Sequence, residues 1–274
     1  MSSITRFLPK NHLSYFVGQL VHIKWPGFIN RFLIAKFAKA YHIDLSEAEF
    51  EIEKYESLGD FFVRKLKPGI RPLGTTWALH PADSVITQAA AIRDGKLIQA
   101  KNKTYSVKNF TQDSEALQKW QDGFFLTYYL CPTDYHRVHS PVSGEIKRVV
   151  YIPGALWPVN SWSTENIHEL FSINERVLVE IQTDRGLVGV MFVGATNVGQ
   201  IILSFDPEIQ GNQLLSKAVY EKLYTLQKIK KGEELGQFRM GSTIVMLYSK
   251  SIFLGGLQVE SFLNQPVKVN SSFA

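Results

Sequence analysis

Runs rich in Val, Ile, Phe and Tyr dominate the chain after residue 120, and they constrain its fold more than any other feature. They cover residues 124–130, 145–152, 176–182, 187–193 and 243–248, with glycine or proline in the segments between them. β-branched and aromatic residues in short runs of this kind favour strands. We also predict helices near residues 107–120 and 213–225. The expected class is α+β, with a strand-rich, mainly antiparallel β core and peripheral helices.

The first 45 residues differ from the rest in both pattern and charge. Apolar residues recur at spacings of three and four in residues 11–24 and again in 28–41, where Ile29, Phe32, Leu33, Phe37 and Tyr41 share a face. This spacing predicts two amphipathic helices, separated by Pro26 and Gly27. The whole net charge of +5 lies in residues 1–45, so the remainder is neutral. Such helices either pack on the body as a hairpin or lie on an anionic membrane surface.

Short helices are predicted to follow this segment. Ser46 with Glu49 has the pattern of a capping box, which predicts a helix through about Tyr55. A second short helix is predicted from Ser57 to Leu66, before the Pro68-Gly69 step.

Several classes of protein are disfavoured by composition. Cys131 is the only cysteine, which rules out an intramolecular disulfide and a cysteine-based zinc site and favours a cytosolic environment. No run of about 18 apolar residues predicts a spanning helix, and Lys10 to His12 interrupt any signal-like stretch. The neutral body lacks the basic stripe of a nucleic-acid binder, so we expect no nucleic-acid partner.

Two histidines, His136 and His139, stand three residues apart in a segment that also contains aspartate, tyrosine and arginine. They can serve as a general acid and a general base, as metal ligands, or as hydrogen-bonded residues without a chemical role. Positions i and i+3 of a strand face opposite sides, so shared metal ligation would require a turn. We expect no metal site here.

A glycine-serine step, Gly241-Ser242, enters the last apolar run. Glycine has no side chain, so its carbonyl is open to attack by the adjacent hydroxyl. A serine needs a base to become a good nucleophile, and Asp83 offers a carboxylate that could orient a histidine. Spacing alone does not bring these segments together.

In chain order, these segments resemble the phosphatidylserine decarboxylase family, specifically its bacterial-type pyruvoyl enzymes. The resemblance runs from about residue 50 to about 265. Its motifs are Asp60-Phe61-Phe62-Val63-Arg64, Arg71-Pro72, Pro81-Ala82-Asp83, Tyr135-His136-Arg137-Val138-His139 with Pro141 and Gly144, Val159-Asn160, Asn174-Glu175-Arg176-Val177, Val193-Gly194-Ala195-Thr196 and Gly241-Ser242-Thr243. Two positions depart from the family pattern. Met240 replaces a leucine, and Ser84 replaces a glycine, which implies strain if that position needs a positive φ.

The resemblance implies a self-cleaving zymogen. Ser242 attacks the Gly241 carbonyl, and the cut leaves a β chain of residues 1–241 and an α chain of residues 242–274 that begins with a pyruvoyl group made from Ser242. It also implies a triad in which His139 is the base and Asp83 orients it. His136 is the candidate proton donor for decarboxylation, and Asn160 the candidate substrate-binding residue. Asn174, Glu175 and Arg176 are expected to be structural.

The resemblance also implies a substrate and a location. Phosphatidylserine in an anionic membrane is converted to phosphatidylethanolamine and CO₂, with the pyruvoyl group as electron sink and no metal. We therefore expect residues 1–45 to associate with the membrane and residues 46–274 to form the catalytic domain. The expected location is peripheral, on the cytoplasmic face of the bacterial cell membrane, and a homodimer is possible.

The main alternative is a non-catalytic carrier or binding module. Residues 140–146 resemble the turn-strand pattern of biotinyl- or lipoyl-type β sandwiches, although no lysine is displayed in a tight hairpin. A serine hydrolase is disfavoured because no GxSxG elbow surrounds Ser242.

Overall fold

The architecture was obtained from a computed structural model, which describes residues 18–100, 103–196, 200–211, 218–239, 242–252 and 258–273. The α-helices are α1 (Gly27–Ala40), α2 (Leu58–Phe62), α3 (Val107–Thr111), α4 (Ala116–Trp120), α5 (Ser161–Asn166) and α6 (Leu170–Ile173). The strands are β1 (Ser84–Ala91), β2 (Lys96–Ala100), β3 (Lys103–Ser106), β4 (Phe124–Leu130), β5 (Arg137–His139), β6 (Gly144–Ile152), β7 (Arg176–Gln182), β8 (Leu187–Gly194), β9 (Ile201–Leu203), β10 (Tyr220–Ile229), β11 (Glu234–Phe238), β12 (Ser242–Tyr248) and β13 (Pro266–Val267).

A large antiparallel sheet forms the body. Within the described ranges it has eight strands in the order β10-β6-β7-β8-β12-β4-β1-β13, and every neighbouring pair is antiparallel. A three-stranded sheet, β5-β11-β9, and the β2-β3 hairpin lie beside it. The predicted class, α+β with a mainly antiparallel β core, is confirmed.

The large sheet is buried on both faces. Side chains alternate along a strand, so Ile244 and Met246 of β12 lie on one face, here called face A, and Val245 and Leu247 lie on the other, face B. The small sheet covers face A, where its Val138, Leu235 and Phe238 join the core. Face B is covered by short helices that contribute Phe110, Trp120 and Phe171. This two-sided burial explains why the strands contain nearly continuous apolar runs.

The N-terminal helical segment packs on the body through α1. Asn30, Ile34 and Ala38 of this helix are buried, and the last two share a small core with Tyr55 and Phe61. The predicted helix over 28–41 is confirmed, but its buried face is shifted from the predicted stripe. Residues 18–21 are helical, while the rest of the predicted helix over 11–24 lies mostly outside the described residues.

The predicted helix near 213–225 is wrong where the structure describes it. Residues 220–229 form the edge strand β10, which pairs with β6 from Tyr220 opposite Tyr151 to Ile229 opposite Gly144. Most side chains of β10 face solvent, so its apolar pattern is weak, and long-range pairing with β6 decides the conformation.

The other helix predictions are partly correct. Residues 46–55 contain two 3₁₀ turns, Leu45–Glu47 and Ile52–Lys54, instead of one helix, and the cap is Asp44, whose side chain accepts the N–H of Ser46. The predicted helix from Ser57 is confirmed as the shorter α2, with Ser57 as its N-cap. The region 107–120 forms two short helices, α3 and α4, instead of one.

Candidate functional site

Ser242 is the first residue of β12, in the interior of the large sheet. Its Cα lies opposite Leu130 of β4 and Gly194 of β8. The ladders on both sides fix the backbone from this residue onward. Met240, Gly241 and the side chain of Ser242 lie outside what the structure describes.

The histidine segment lies close to Ser242 because β4, which pairs with β12, leads into it. β4 ends at Leu130, opposite Ser242, and the chain then passes through residues 131–136 into β5. The carbonyl of His136 accepts the N–H of Phe238 at 3.0 Å, four residues before Ser242. His139 lies opposite Glu234 at the other end of the same pairing. The β5-β11 pairing therefore brings both histidines beside the segment that leads to the glycine-serine step.

His139 is held by two hydrogen bonds. Its Nδ1 lies 2.8 Å from the Gly232 carbonyl, and its Nε2 lies 3.1 Å from the Tyr135 hydroxyl. A carbonyl only accepts, so Nδ1 carries the proton and Nε2 of the neutral ring is the accepting nitrogen. Burial is the main cause that lowers the pKa of His139. These features suit a general base.

His136 is fully buried and packs against Phe62, with ring centroids 4.1 Å apart. Its Nδ1 donates to the Asp134 carbonyl at 2.8 Å. Its Nε2 is buried and has no hydrogen-bond partner among the described residues. Burial lowers the pKa of His136 to about 3, so the ring is neutral near pH 7. In the resting protein, Nε2 is therefore unprotonated and can accept a hydrogen bond.

Asp83 is buried, and Arg71 donates to both of its carboxylate oxygens, at 3.1 Å from Nε to Oδ1 and 2.6 Å from Nη2 to Oδ2. It also accepts the N–H of Val269 and a bond from Lys268. Burial raises the pKa of Asp83, but the bonds from Arg71 and Val269 and the charge of Lys268 outweigh it and hold that pKa below its usual value.

The predicted contact between Asp83 and His139 takes a different form in this structure. The segments are joined by the backbone, where the His139 N–H donates to the Pro81 carbonyl at 2.9 Å. No hydrogen bond joins the two side chains, because the partners of His139 are Gly232 and Tyr135. Burial lowers the pKa of His139 overall, and the negative charge of Asp83 is the smallest of the effects that oppose this lowering. Ser84 begins β1 and is not among the residues with positive φ, so the strain considered for this position does not arise.

Asn160 lies at the N-terminus of α5, where its Oδ1 accepts the N–H of Ser163 at 2.9 Å. It lines a cavity of about 380 Å³ on the face B side of the sheet. Thr127, Tyr129 and Thr243 form part of the wall, and Thr243 directly follows Ser242. The structure therefore places Asn160 in a cavity of mixed polar and apolar lining beside the start of β12, but on the face opposite to the two histidines.

The segment 174–176 supports the framework, as predicted. Arg176 donates to three backbone carbonyls, those of Phe110, Asn174 and Asn109. Asn174 donates to the carbonyls of Trp157 and Gly194. Asn174 also accepts the N–H of Trp157. Buried side chains whose hydrogen bonds go to backbone groups hold loops in place.

Three partners of the predicted residues were not assigned a role from sequence: Tyr135, Gly232 and Arg71. Tyr135 and Arg71 lie within the motifs quoted above, so the sequence indicated that both residues are near the site. It did not indicate which side chains they contact. Gly232 acts through its carbonyl, and any residue has a carbonyl, so no side-chain pattern points to it. In the described part of the chain, no group of three or more His, Cys, Asp or Glu side chains is placed to hold a metal ion.

Comparison with known proteins gives a consistent result. Residues 58–274 match the family model described as phosphatidylserine decarboxylase. Three similar proteins share the description phosphatidylserine decarboxylase proenzyme. The protein of Anaeromyxobacter sp. (strain K) is 37% identical over 249 residues, covering 90% of this chain and 88% of its own length. That of Shewanella sp. (strain ANA-3) is 39% identical over 267 residues, covering 93% and 90%. That of Vibrio parahaemolyticus is 36% identical over 280 residues, covering 98% and 95%.

Proposed function

Because the chain belongs to the phosphatidylserine decarboxylase family, we propose that it is a zymogen that cuts itself between Gly241 and Ser242 to make its own pyruvoyl group. The products are a β chain of residues 1–241 and an α chain of residues 242–274. The mature enzyme converts phosphatidylserine to phosphatidylethanolamine and CO₂. Family membership also decides against the carrier alternative.

One observation carries this proposal beyond family membership. The glycine-serine step falls at the boundary where β12 enters the large sheet, with the histidine segment paired to the strand before it. The ladders to β4 and β8 hold the backbone of residue 242 in place after a cut. A new chain end at this position stays fixed next to the cavity that Thr243 lines.

Self-cleavage proceeds on this chain's own atoms. The Ser242 oxygen attacks the Gly241 carbonyl carbon, its proton goes to His139, and the peptide nitrogen leaves as an amine, which gives an ester. Loss of the Ser242 α-proton then breaks the ester C–O bond and releases the β chain as a carboxylate. The remaining dehydroalanine takes up water and loses ammonia, which leaves the pyruvoyl group. Asp83 favours the charged form of His139 by its own negative charge.

The residues around position 242 fit a pyruvoyl group. That group supplies an electron sink for the charge left when CO₂ departs. His136 offers a buried Nε2 without a partner among the described residues, next to the segment before Ser242. Since this nitrogen is unprotonated at rest, His136 takes up a proton from the ammonium group of the substrate and then donates that proton to carbon.

Substrate binding is assigned to the face B cavity. Its wall combines the apolar Ala100, Val159 and Phe171 with hydrogen-bonding side chains, those of Thr87, Gln88, Gln99, Thr127, Tyr129, Asn160, Ser161, Thr164, Glu165, Thr243 and Asn264. Hydrogen-bonding groups of this kind suit a zwitterionic serine headgroup. The cap of α5 uses only Oδ1 of Asn160, so the amide N–H₂ is the part of this residue that we assign to the substrate.

Membrane association is assigned to the solvent side of α1 and the turn before it. Trp25, Phe28 and Phe32 are exposed there, with Phe28 71% exposed, and Lys36 lies over the Phe32 ring. Exposed aromatic residues among lysines and arginines favour an anionic lipid surface.

No helix in the described residues is long and apolar enough to cross a membrane. We therefore assign a peripheral position, on the cytoplasmic face of the cell membrane, and a homodimer remains part of the proposal.

α2 connects the membrane side to the site. Phe61 belongs to the small core under α1, and the next residue, Phe62, packs on His136. A lipid bound at α1 is therefore separated from the histidine segment by α2.

The test is release of labelled CO₂ from vesicles containing carboxyl-labelled phosphatidylserine. We expect the purified, processed protein to release CO₂ and to leave phosphatidylethanolamine. Carbonyl reagents should abolish the activity, since the group at position 242 is a ketone. A processed protein that hydrolyses the lipid or leaves it unchanged would contradict the proposal.

A further inference from the structure

The hydrogen bonds of His139 leave its accepting nitrogen occupied. Nδ1 donates to the Gly232 carbonyl, so Nε2 of the neutral ring is an acceptor, and the Tyr135 O–H is its donor at 3.1 Å. A base whose lone pair already receives a hydrogen bond is not open to a second hydroxyl. A proton from Ser242 must therefore reach Nε2 through Tyr135 or after Tyr135 has moved away.

The tyrosine is suited to the first of these routes. Tyr135 is buried, with 6% of its surface exposed, and burial raises the pKa of its hydroxyl well above the usual value, so the O–H keeps its proton. Among the described residues, His139 is the only hydrogen-bond partner of this hydroxyl. Its oxygen still has a lone pair to accept a hydrogen bond while its proton is donated.

The backbone register places Tyr135 on the correct side of His139. His139 lies opposite Glu234, eight residues before Ser242. Tyr135 is next to His136, whose carbonyl accepts the N–H of Phe238, four residues before Ser242. Along this pairing, the backbone of Tyr135 is nearer than the backbone of His139 to the segment that carries the cleavage step.

We propose that Tyr135 relays the proton of the Ser242 hydroxyl to His139 during self-cleavage. As the Ser242 oxygen bonds to the Gly241 carbonyl carbon, its proton passes to the Tyr135 oxygen, and the Tyr135 proton passes to Nε2 of His139. Tyrosine ends as it began, and His139 becomes an imidazolium that returns a proton to the departing amine. Electrons and protons balance without another reactant. This inference rests on the proposed self-cleavage.

The experiment follows the cutting of newly made chains. Wild type, Tyr135→Phe and Tyr248→Phe are synthesised in a cell-free system, and the uncut chain is followed by gel after synthesis is stopped. Tyr248→Phe is the matched control, because that hydroxyl is also fully buried and has no partner among the described residues. We expect Tyr135→Phe to cut about 100-fold more slowly, in the range that one positioned proton-transfer group contributes, and the control to cut like wild type.

A pH series separates the relay from a packing effect. His139 must be neutral to act, so cutting fails as pH falls through its pKa. Burial, the largest effect, and Arg137 lower this pKa, while the Gly232 carbonyl, Glu234 and Asp83 raise it, and none of these changes in Tyr135→Phe. In Tyr135→Phe, Nε2 of His139 loses the hydrogen bond that favours the neutral ring, so the pKa of His139 rises. The acid limb of the rate profile should therefore move to higher pH in Tyr135→Phe and stay unmoved in Tyr248→Phe.

The outcomes are distinct. Slow cutting with a shifted acid limb supports the relay. If wild type cuts itself and Tyr135→Phe cuts as fast or faster, the relay is wrong while the proposed function stands. Slow cutting with an unshifted limb assigns Tyr135 to packing alone and also overturns the relay. A wild-type chain that stays uncut contradicts both proposals.

Discussion

The two faces of the large sheet differ in what they place near residue 242. On face A lie His139, at the end of β5, and His136, directly before β5, and burial lowers the pKa of both rings. On face B, Asn160 and Thr243 line a cavity of about 380 Å³ whose wall has both polar and apolar side chains. Successive side chains of β12 point to opposite faces, so this strand contributes residues to both. The proposed roles place the two histidines on face A and headgroup recognition on face B, so they require the reacting carbon to lie at residue 242, where the two faces meet.

Replacing His139 by Ala tests face A with the largest expected effect. Without its base, self-cleavage should slow by at least about 100-fold, and decarboxylation should fall with it because the pyruvoyl group is not made. His168→Ala is the control, because this histidine is exposed. Gel analysis of new chains measures the cut. Cutting at the wild-type rate would remove His139 from the mechanism.

His136→Ala should separate the two reactions. The chain is expected to cut itself at a near-normal rate, while decarboxylation by the processed enzyme falls by about 100-fold or more, because the proton donor to carbon is missing. Cutting by gel and CO₂ release on the same preparation measure both. Failure to cut, with a thermal melt like that of wild type, would show that the roles of His136 and His139 are assigned the wrong way round.

Substitutions of Asn160 test face B, with a smaller effect. Asn160→Asp keeps an oxygen for the cap of α5 but loses the amide N–H₂, so self-cleavage should be unchanged while KM for phosphatidylserine rises several-fold. Asn160→Ala should also destabilise α5, by about 1 kcal/mol. Steady-state kinetics on mixed vesicles separates KM from kcat. A defect in cutting in either variant would show that the faces are not independent.

The smallest effect is expected at the membrane side. Phe28→Ala combined with Phe32→Ala should weaken co-sedimentation with anionic vesicles by a few-fold, and added salt should weaken binding further, since each basic residue near the surface contributes about 1 kcal/mol at most. Leu223→Ala is the control, because this residue of β10 is equally exposed but belongs to another surface. Unchanged binding by the double variant would assign α1 to packing alone.

The sequence was sufficient for the fold class and for the segments that meet at the site. The strand runs predicted β4, β6, β7, β8 and β12 closely, because β-branched and aromatic content marks strands buried on two faces. The same residue pattern did not predict β10, because this edge strand has side chains that mostly face solvent and its conformation depends on pairing with β6.

Contacts between segments distant in sequence were beyond prediction. The pairing of Phe238 with His136 joins residues about 100 positions apart, and the partner of His139 is a backbone carbonyl. The residue pattern offered Asp83 as a carboxylate that could orient a histidine, and the resemblance assigned it to His139. The structure gives this carboxylate a bonded partner in Arg71 and leaves its effect on His139 to charge.

The central claim is that Ser242 becomes the blocked first residue of a separate chain. Denaturing mass spectrometry of the purified protein tests it directly, with Ser242→Ala as the uncut reference and Ser261→Ala, an exposed serine of the same segment, as the control. We predict two chains for wild type and Ser261→Ala, the smaller covering residues 242–274 and beginning with a pyruvoyl group, and one intact chain of 31.1 kDa for Ser242→Ala. An intact chain in a wild-type preparation that releases CO₂ from phosphatidylserine would contradict the account.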